Sequence, residues 1–142
     1  AALDWQIAQG VRLVNMSFGL RADREQLREA CARALEAGVV LVAASPARGG
    51  PVYPASYPGV IRATGDARCA PGQVSHLNSV QADFGGHVRA SVATIAGASV
   101  GCAYVTAALA EIVRQQPGLS PDDLVSRLAA QAQYRGPERR TA

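Results

Sequence analysis

The segment AGVVLVAASPARGGPVYPASYPGVIRATGD, residues 37–66, carries the clearest strand pattern in the chain. Its run VVLVAA (39–44) is apolar throughout, which is typical of a parallel strand buried on both faces. A loop dense in proline and glycine follows over 46–58, and GVIRATGD (59–66) contains a second strand. This succession predicts the centre of an α/β domain.

The segments before and after this centre add helices and further strands. VRLVNMSF (11–18) is rich in β-formers, and it precedes a helix that we expect Asp23 to cap, with Gln26 at the reciprocal capping position. Shorter extended segments are expected around 74–79 and 87–95.

The second half of the chain is predicted to be helical. The segment 99–116 is apolar nearly all round and is therefore predicted to be a buried helix. SPDDLVSRL begins with Ser120 as a cap, Pro121 at the first helical position and Asp123 completing a capping box. The element order predicts a mainly parallel sheet, containing residues near 11–17, 39–44 and 60–64, with helices on both faces.

Composition limits the class of protein. The chain has 142 residues, 49% of them hydrophobic and 18% charged, which indicates one globular domain over 1–134 and a polar tail over 135–142. All 14 basic residues are arginines, and outside the tail they are scattered among acids. The sequence has no basic stripe with interleaved aromatic residues, so nucleic-acid binding is not expected. No apolar run reaches about 18 residues, so no membrane span is expected. No signal peptide is expected either.

Cysteine and histidine residues give no independent sign of a site. Cys31, Cys69 and Cys102 are odd in number and far apart, which fits neither a disulfide framework nor metal-ligand spacing. We expect them to act as small core hydrophobes. His76 and His87 are expected to be surface or loop residues.

The segment GASVG (97–101) has the pattern G-x-S-x-G, and two interpretations of Ser99 are open. Small neighbours allow the sharp turn that exposes a nucleophilic hydroxyl. A serine before a helix is also the commonest polar cap. An α/β-hydrolase site is excluded within this chain, because that fold needs a histidine after the serine and none follows Ser99.

Three stretches in order resemble the subtilisin-like serine peptidases. They are VNMSFG (14–19), the segment 37–66 with its YPASYP, and GASVGCAYVTAALA (97–110). PGLSPDDLVSRLAAQA (117–132) is similar to the closing helix of that family. The resemblance implies the later part of a subtilisin-like three-layer α/β domain, incomplete at its N-terminal side. It also implies a cis Tyr53–Pro54 bond.

The resemblance implies roles for residues near the serine. Ser99 matches the family nucleophile, and its backbone N–H would donate to an oxyanion. Ala47 stands where the family has its oxyanion-hole asparagine, and a one-residue shift of that loop would bring in Ser45 or Arg48 instead.

The same resemblance places substrate along a strand edge. Ser17, Phe18 and Gly19 match the edge on which family members bind an extended peptide by strand addition. We expect a peptide or protein substrate, and no nucleic-acid or membrane partner. No residue pattern indicates a cofactor or a metal, and calcium is implied by the resemblance only.

Two functions follow from these assignments. One is a serine endopeptidase domain with Ser99 as nucleophile, whose triad Asp and His lie on a missing upstream segment, so that this chain alone is inactive. The alternative is a catalytically degenerate pseudopeptidase that acts as a peptide-binding or scaffold domain, which the alanine at position 47 favours.

Overall fold

The computed structural model describes residues 2–89 and 97–139. Four helices and six strands are present in this part of the chain. In chain order they are α1 (Ala2–Ala8), β1 (Leu13–Met16), α2 (Glu25–Glu36), β2 (Val40–Ala44), β3 (Ile61–Gly65), β4 (Val74–His76), β5 (Phe84–Gly86), α3 (Ala98–Gln115), α4 (Pro121–Gln131) and β6 (Tyr134–Arg135). No described helix is long and apolar enough to cross a membrane.

The six strands form one sheet in the order β1-β2-β3-β5-β4-β6. Strands β1, β2, β3 and β5 are parallel, whereas β4 runs antiparallel to β5 and carries β6 on its other side. The predicted, mainly parallel sheet is therefore confirmed. Arg135, the first residue of the expected polar tail, belongs to β6.

The burial of strand β2 explains why its sequence is apolar without interruption. All five of its residues are buried, and alternate side chains enter two separate cores on opposite faces of the sheet. Leu41 packs with residues of α1 and α2, while Val42 packs with α3 and α4. Helices therefore cover both faces, as predicted.

Helix α3 starts at the carboxyl ends of β3 and β5 and packs along one face of the sheet, and only one of its own faces is buried. Cys102, Val105 and Leu109 are fully enclosed, whereas Ala103 and Ala107 on the other side are exposed. The predicted buried helix is thus buried along one face only, because small alanines, which count as apolar in the sequence, also occupy its exposed side.

Gly101 lets α3 approach the sheet closely. A Cβ at this position would overlap the carbonyl oxygen of Thr64 and lie 2.6 Å from the amide nitrogen of Gly65. No side chain fits there, so the glycine sets the depth at which α3 lies on β3.

Two predicted helix starts had different outcomes. Ser120 caps α4 by accepting a hydrogen bond from the Asp123 N–H at 3.2 Å, as predicted. The predicted Asp23 cap of α2 was wrong, because Arg24 is the N-cap and makes no side-chain capping bond. The Asp23 carboxylate instead accepts hydrogen bonds from Tyr57 and Arg28.

Replacing Ser120 with alanine should lower the free energy of unfolding by about 1 kcal/mol, because the Asp123 N–H loses its acceptor. Urea denaturation measures the change. Ser126→Ala is the matched control, since Ser126 is an exposed residue inside the same helix, and it should leave stability unchanged or slightly higher. Equal effects of the two substitutions would contradict the capping role.

Three further expectations concern one peptide bond, the cysteines and two short extended segments. The Tyr53–Pro54 bond is cis, as the resemblance implied. All three cysteines are free and buried, which confirms their place in the core. The expected extended segment 74–79 contains β4, while residues 90–95 of the segment 87–95 lie outside the described residues.

Candidate active site

Ser99 lies in the first turn of α3, and its side chain is exposed. The N-cap is Gly97, whose φ of 105° and ψ of −152° suit glycine, and no side chain caps this helix. The Ser99 hydroxyl donates instead to the carbonyl oxygen of Ser17 at 3.2 Å. The helix-cap interpretation of Ser99 was therefore wrong.

A second hydrogen bond joins the same two residues in the opposite direction. Its hydroxyl donates to the carbonyl oxygen of Ser99 at 3.1 Å. The two serines are 82 residues apart in the chain, yet this pair of bonds joins the end of β1 to the start of α3. The structure thus brings together two residues that the sequence analysis assigned to different parts of the site.

The backbone N–H of Ser99 lies at the positive end of the α3 dipole. The first intrahelical bond of this turn is that from the Gly101 N–H to the Gly97 carbonyl, at 3.0 Å. The N–H of Ser99 therefore has no helical acceptor, which is the usual condition of the first donors of a helix. Such a group can donate to a developing oxyanion.

Ala47 is exposed just beyond the end of β2 and lines a cleft of about 510 Å³. Thr64 and Gly65, which contact the start of α3, line the same cleft. Of the two substitutes considered for the missing asparagine, Ser45 is engaged, because its hydroxyl donates to the Gln81 carbonyl at 2.6 Å. Arg48 also lines the cleft.

The segment after β1 provides an unpaired stretch of backbone. Phe18 and Gly19 are exposed, and their N–H and C=O groups have no backbone partner among residues 2–89 and 97–139. Pairing resumes at Leu20, which exchanges hydrogen bonds of 2.7 and 2.8 Å with Tyr53. Phe18 and Gly19 are therefore open to a further extended chain.

An apolar cleft of about 370 Å³ lies beside Phe18. Side chains of α1, β1 and α2 line it, among them Leu3, Met16 and Leu27. The cleft is large enough, and its walls are apolar enough, to enclose a hydrophobic side chain.

Neither histidine reaches Ser99 in the described structure. His87 contacts the Cys69 carbonyl through Nδ1 at 2.9 Å and meets Tyr104 edge to face. His76 stacks on Phe84 with ring centroids 5.1 Å apart. The described part of the chain therefore offers Ser99 no imidazole base.

Cys102 lies one turn beyond Ser99 but is unsuited to nucleophilic chemistry. Burial raises the pKa of its thiol to about 11, against the smaller opposing effects of hydrogen bonds. The thiol is fully enclosed and stays protonated at neutral pH. This agrees with the expectation that Cys102 acts as a small core hydrophobe.

Asn15 is a site residue that the sequence analysis missed. Its amide nitrogen donates to the Ser17 hydroxyl at 2.7 Å, and its amide oxygen accepts from Thr106 at 2.7 Å. Strand alternation was the available signal, because side chains at positions 15 and 17 of one strand lie on the same face.

Metal binding remains a prediction. Among residues 2–89 and 97–139, no group of three or more His, Cys, Asp or Glu side chains is placed to hold a metal ion. The calcium that the resemblance implies therefore has no site assigned to it in this part of the chain.

Comparison with known proteins identifies the family. The sequence model of the Subtilase family matches residues 1–141. The chain belongs to the subtilase family. A 62-residue stretch is 47% identical to the Minor extracellular protease Epr of Bacillus subtilis (strain 168), covering 42% of this chain and 10% of that protein.

Solved subtilase structures have the same fold. Sphericase superimposes with a TM-score of 0.62 at 21% identity, over 91% of this chain and 51% of that one. The S41 Psychrophilic Protease gives a TM-score of 0.63 at 18% identity, over 94% and 55%. The chain thus spans about half the length of these two structures and a tenth of the Epr protease.

Proposed function

We propose that this subtilase chain forms the nucleophile-bearing part of a serine endopeptidase, with Ser99 as the nucleophile. The observation that carries the proposal is the exposed Ser99 hydroxyl at the start of α3, hydrogen-bonded to the end of β1 rather than capping the helix. The triad Asp and His would come from a segment upstream of residue 1.

The chemistry follows from the groups around Ser99. A histidine base would take the hydroxyl proton as Oγ attacks a peptide carbonyl, and an aspartate would orient that histidine. The Ser99 N–H would then donate to the oxyanion. Before attack, the hydroxyl must turn from the Ser17 carbonyl toward the base.

The substrate is proposed to bind as an added strand. The unpaired backbone of Phe18 and Gly19 supplies donors and acceptors for an extended peptide, whatever its side chains. The apolar cleft beside Phe18 favours a hydrophobic substrate side chain near this edge.

A pseudopeptidase is the second candidate, and Ala47 is the observation that favours it. In subtilisin, loss of one oxyanion-hole donor lowers kcat by about 10²–10³-fold, and alanine has no side-chain donor. Ser45, bonded to Gln81, does not replace it. On this reading the domain binds extended peptides without cleaving them.

Labelling of the full-length protein with a fluorophosphonate probe tests the proposal. If its upstream sequence contains the triad Asp and His, the probe should attach to Ser99, identified by mass spectrometry, and Ser99→Ala should abolish labelling. Ser56→Ala is the matched control, because Ser56 is an exposed serine outside the site, and it should label fully.

Two other outcomes would change the assignment. A full-length protein that contains both motifs and stays unlabelled would favour the pseudopeptidase. Labelling that persists in Ser99→Ala would show that another residue is the nucleophile.

A further inference from the structure

Asn15 lies where β1 and α3 meet, and it holds side chains from both. Its amide nitrogen donates to the Ser17 hydroxyl at 2.7 Å. Its amide oxygen accepts from the Thr106 hydroxyl at 2.7 Å and from the Cys102 thiol at 3.2 Å. The Asn15 amide thus joins two parts of the fold: its nitrogen binds Ser17 at the end of β1, and its oxygen binds Cys102 and Thr106 on α3.

The bond from Asn15 fixes the direction of the Ser17 hydroxyl. Because the Ser17 oxygen accepts from Asn15, its proton is left to donate to the Ser99 carbonyl at 3.1 Å. The Ser17 carbonyl in turn receives the Ser99 hydroxyl. Hydrogen bonds therefore run from the Asn15 amide through the Ser17 hydroxyl to the Ser99 carbonyl, and the Ser99 hydroxyl makes a separate bond to the Ser17 carbonyl.

The partners of Asn15 on α3 also define the rotation of this helix. Ser99, Cys102 and Thr106 are spaced by three and four residues, so they lie along one face. Rotation of α3 about its axis would stretch the bonds from Cys102 and Thr106 together. Gly101 sets the depth of the helix on the sheet, and Asn15 sets its rotation.

We infer that Asn15 is a positioning residue, which fixes the start of α3, and so the place from which the Ser99 hydroxyl turns toward the base, through Ser17 and through the rotation of α3. The inference rests on the proposed function for its catalytic consequence only. Asn15 is exposed, so water can replace its hydrogen bonds at little cost in stability. Its contribution is therefore to geometry, to which attack by a nucleophile is sensitive.

Asn15→Leu in the full-length protein tests this role, since leucine has a similar shape and no hydrogen-bonding group. We expect kcat to fall by about 10–100-fold, as for a small misplacement of a reacting group, with KM and the thermal midpoint close to the wild type. Ser120→Ala is the control, because it removes the cap of α4 and should lower the thermal midpoint without changing kcat.

Asn15→Asp separates the two ends of the amide. The carboxylate still accepts from Thr106 and Cys102, but it no longer donates to Ser17. The Ser17 proton then turns toward the carboxylate, so kcat should fall as in Asn15→Leu. An unchanged kcat in both variants would overturn the inference, and so would a parallel loss of kcat and thermal midpoint.

Crystal structures decide the inference even if the wild type proves inactive, an outcome that would count against the proposed function alone. In Asn15→Leu, the Ser17 hydroxyl should leave the Ser99 carbonyl, or α3 should rotate. A variant that keeps the 3.1 Å bond from the Ser17 hydroxyl to the Ser99 carbonyl and an unchanged α3 would refute the positioning role.

Discussion

The chain of residues 1–142 should cleave an extended peptide about 10⁶-fold more slowly than the full-length peptidase that we propose, a factor taken from removal of the histidine in subtilisin. Ser99 has no base in the described structure, because His76 and His87 both contact other groups. Its hydroxyl donates only to a neutral carbonyl, which cannot take up the proton. Hydrolysis of a fluorogenic peptide measures the difference.

The comparison requires that the short chain be folded. Circular dichroism and a cooperative urea transition would establish this, and the fluorophosphonate probe should then leave Ser99 unmodified. Rapid labelling of the folded short chain at Ser99 would contradict the prediction, because it would mean that groups within residues 1–142 activate the serine.

Gly101→Ala should destabilise the domain by at least the roughly 1–3 kcal/mol typical of overpacked cores. The added methyl group would meet the backbone of Thr64 and Gly65, which cannot move without disturbing β3. Helix propensity alone would favour alanine, so a large loss would isolate the steric effect. Urea denaturation measures it.

Gly118→Ala is the matched control, because no atom lies within 4 Å of a Cβ built at this loop position. It should be neutral or slightly stabilising, since alanine restricts the unfolded chain. If the Gly101 variant kept its stability, α3 would have to lie farther from β3 than the structure places it.

The parts of the fold predicted from sequence are those with a strong local signal. The apolar run at 39–44 predicted a strand buried on both faces, and Ser120 predicted a helix start, because each depends on neighbouring residues alone. The Asp23 cap failed because a tertiary contact competes for its carboxylate, and Tyr57, its partner, is 34 residues away.

The residues of the candidate site also differ in whether a signal in the sequence could identify them. Ser99 was singled out by its G-x-S-x-G pattern, and its assigned role and that of the segment 17–19 came from the family resemblance, which identifies positions but gives no contacts. Asn15 was missed because its role depends on the packing of α3 against β1, and Thr106 lies 91 residues further along the chain. Strand and helix periodicity could place each side chain on a face, but not join the two faces.

The 82-residue separation of the two serines has a consequence for biosynthesis. A chain emerging from the ribosome contains Ser17 long before Ser99, and their contact must wait until α3 has been made and has docked on the sheet. No shorter nascent chain carries the assembled pair. The hydrogen-bonded arrangement of Ser99 can therefore form only after 82 further residues have followed Ser17 into the chain.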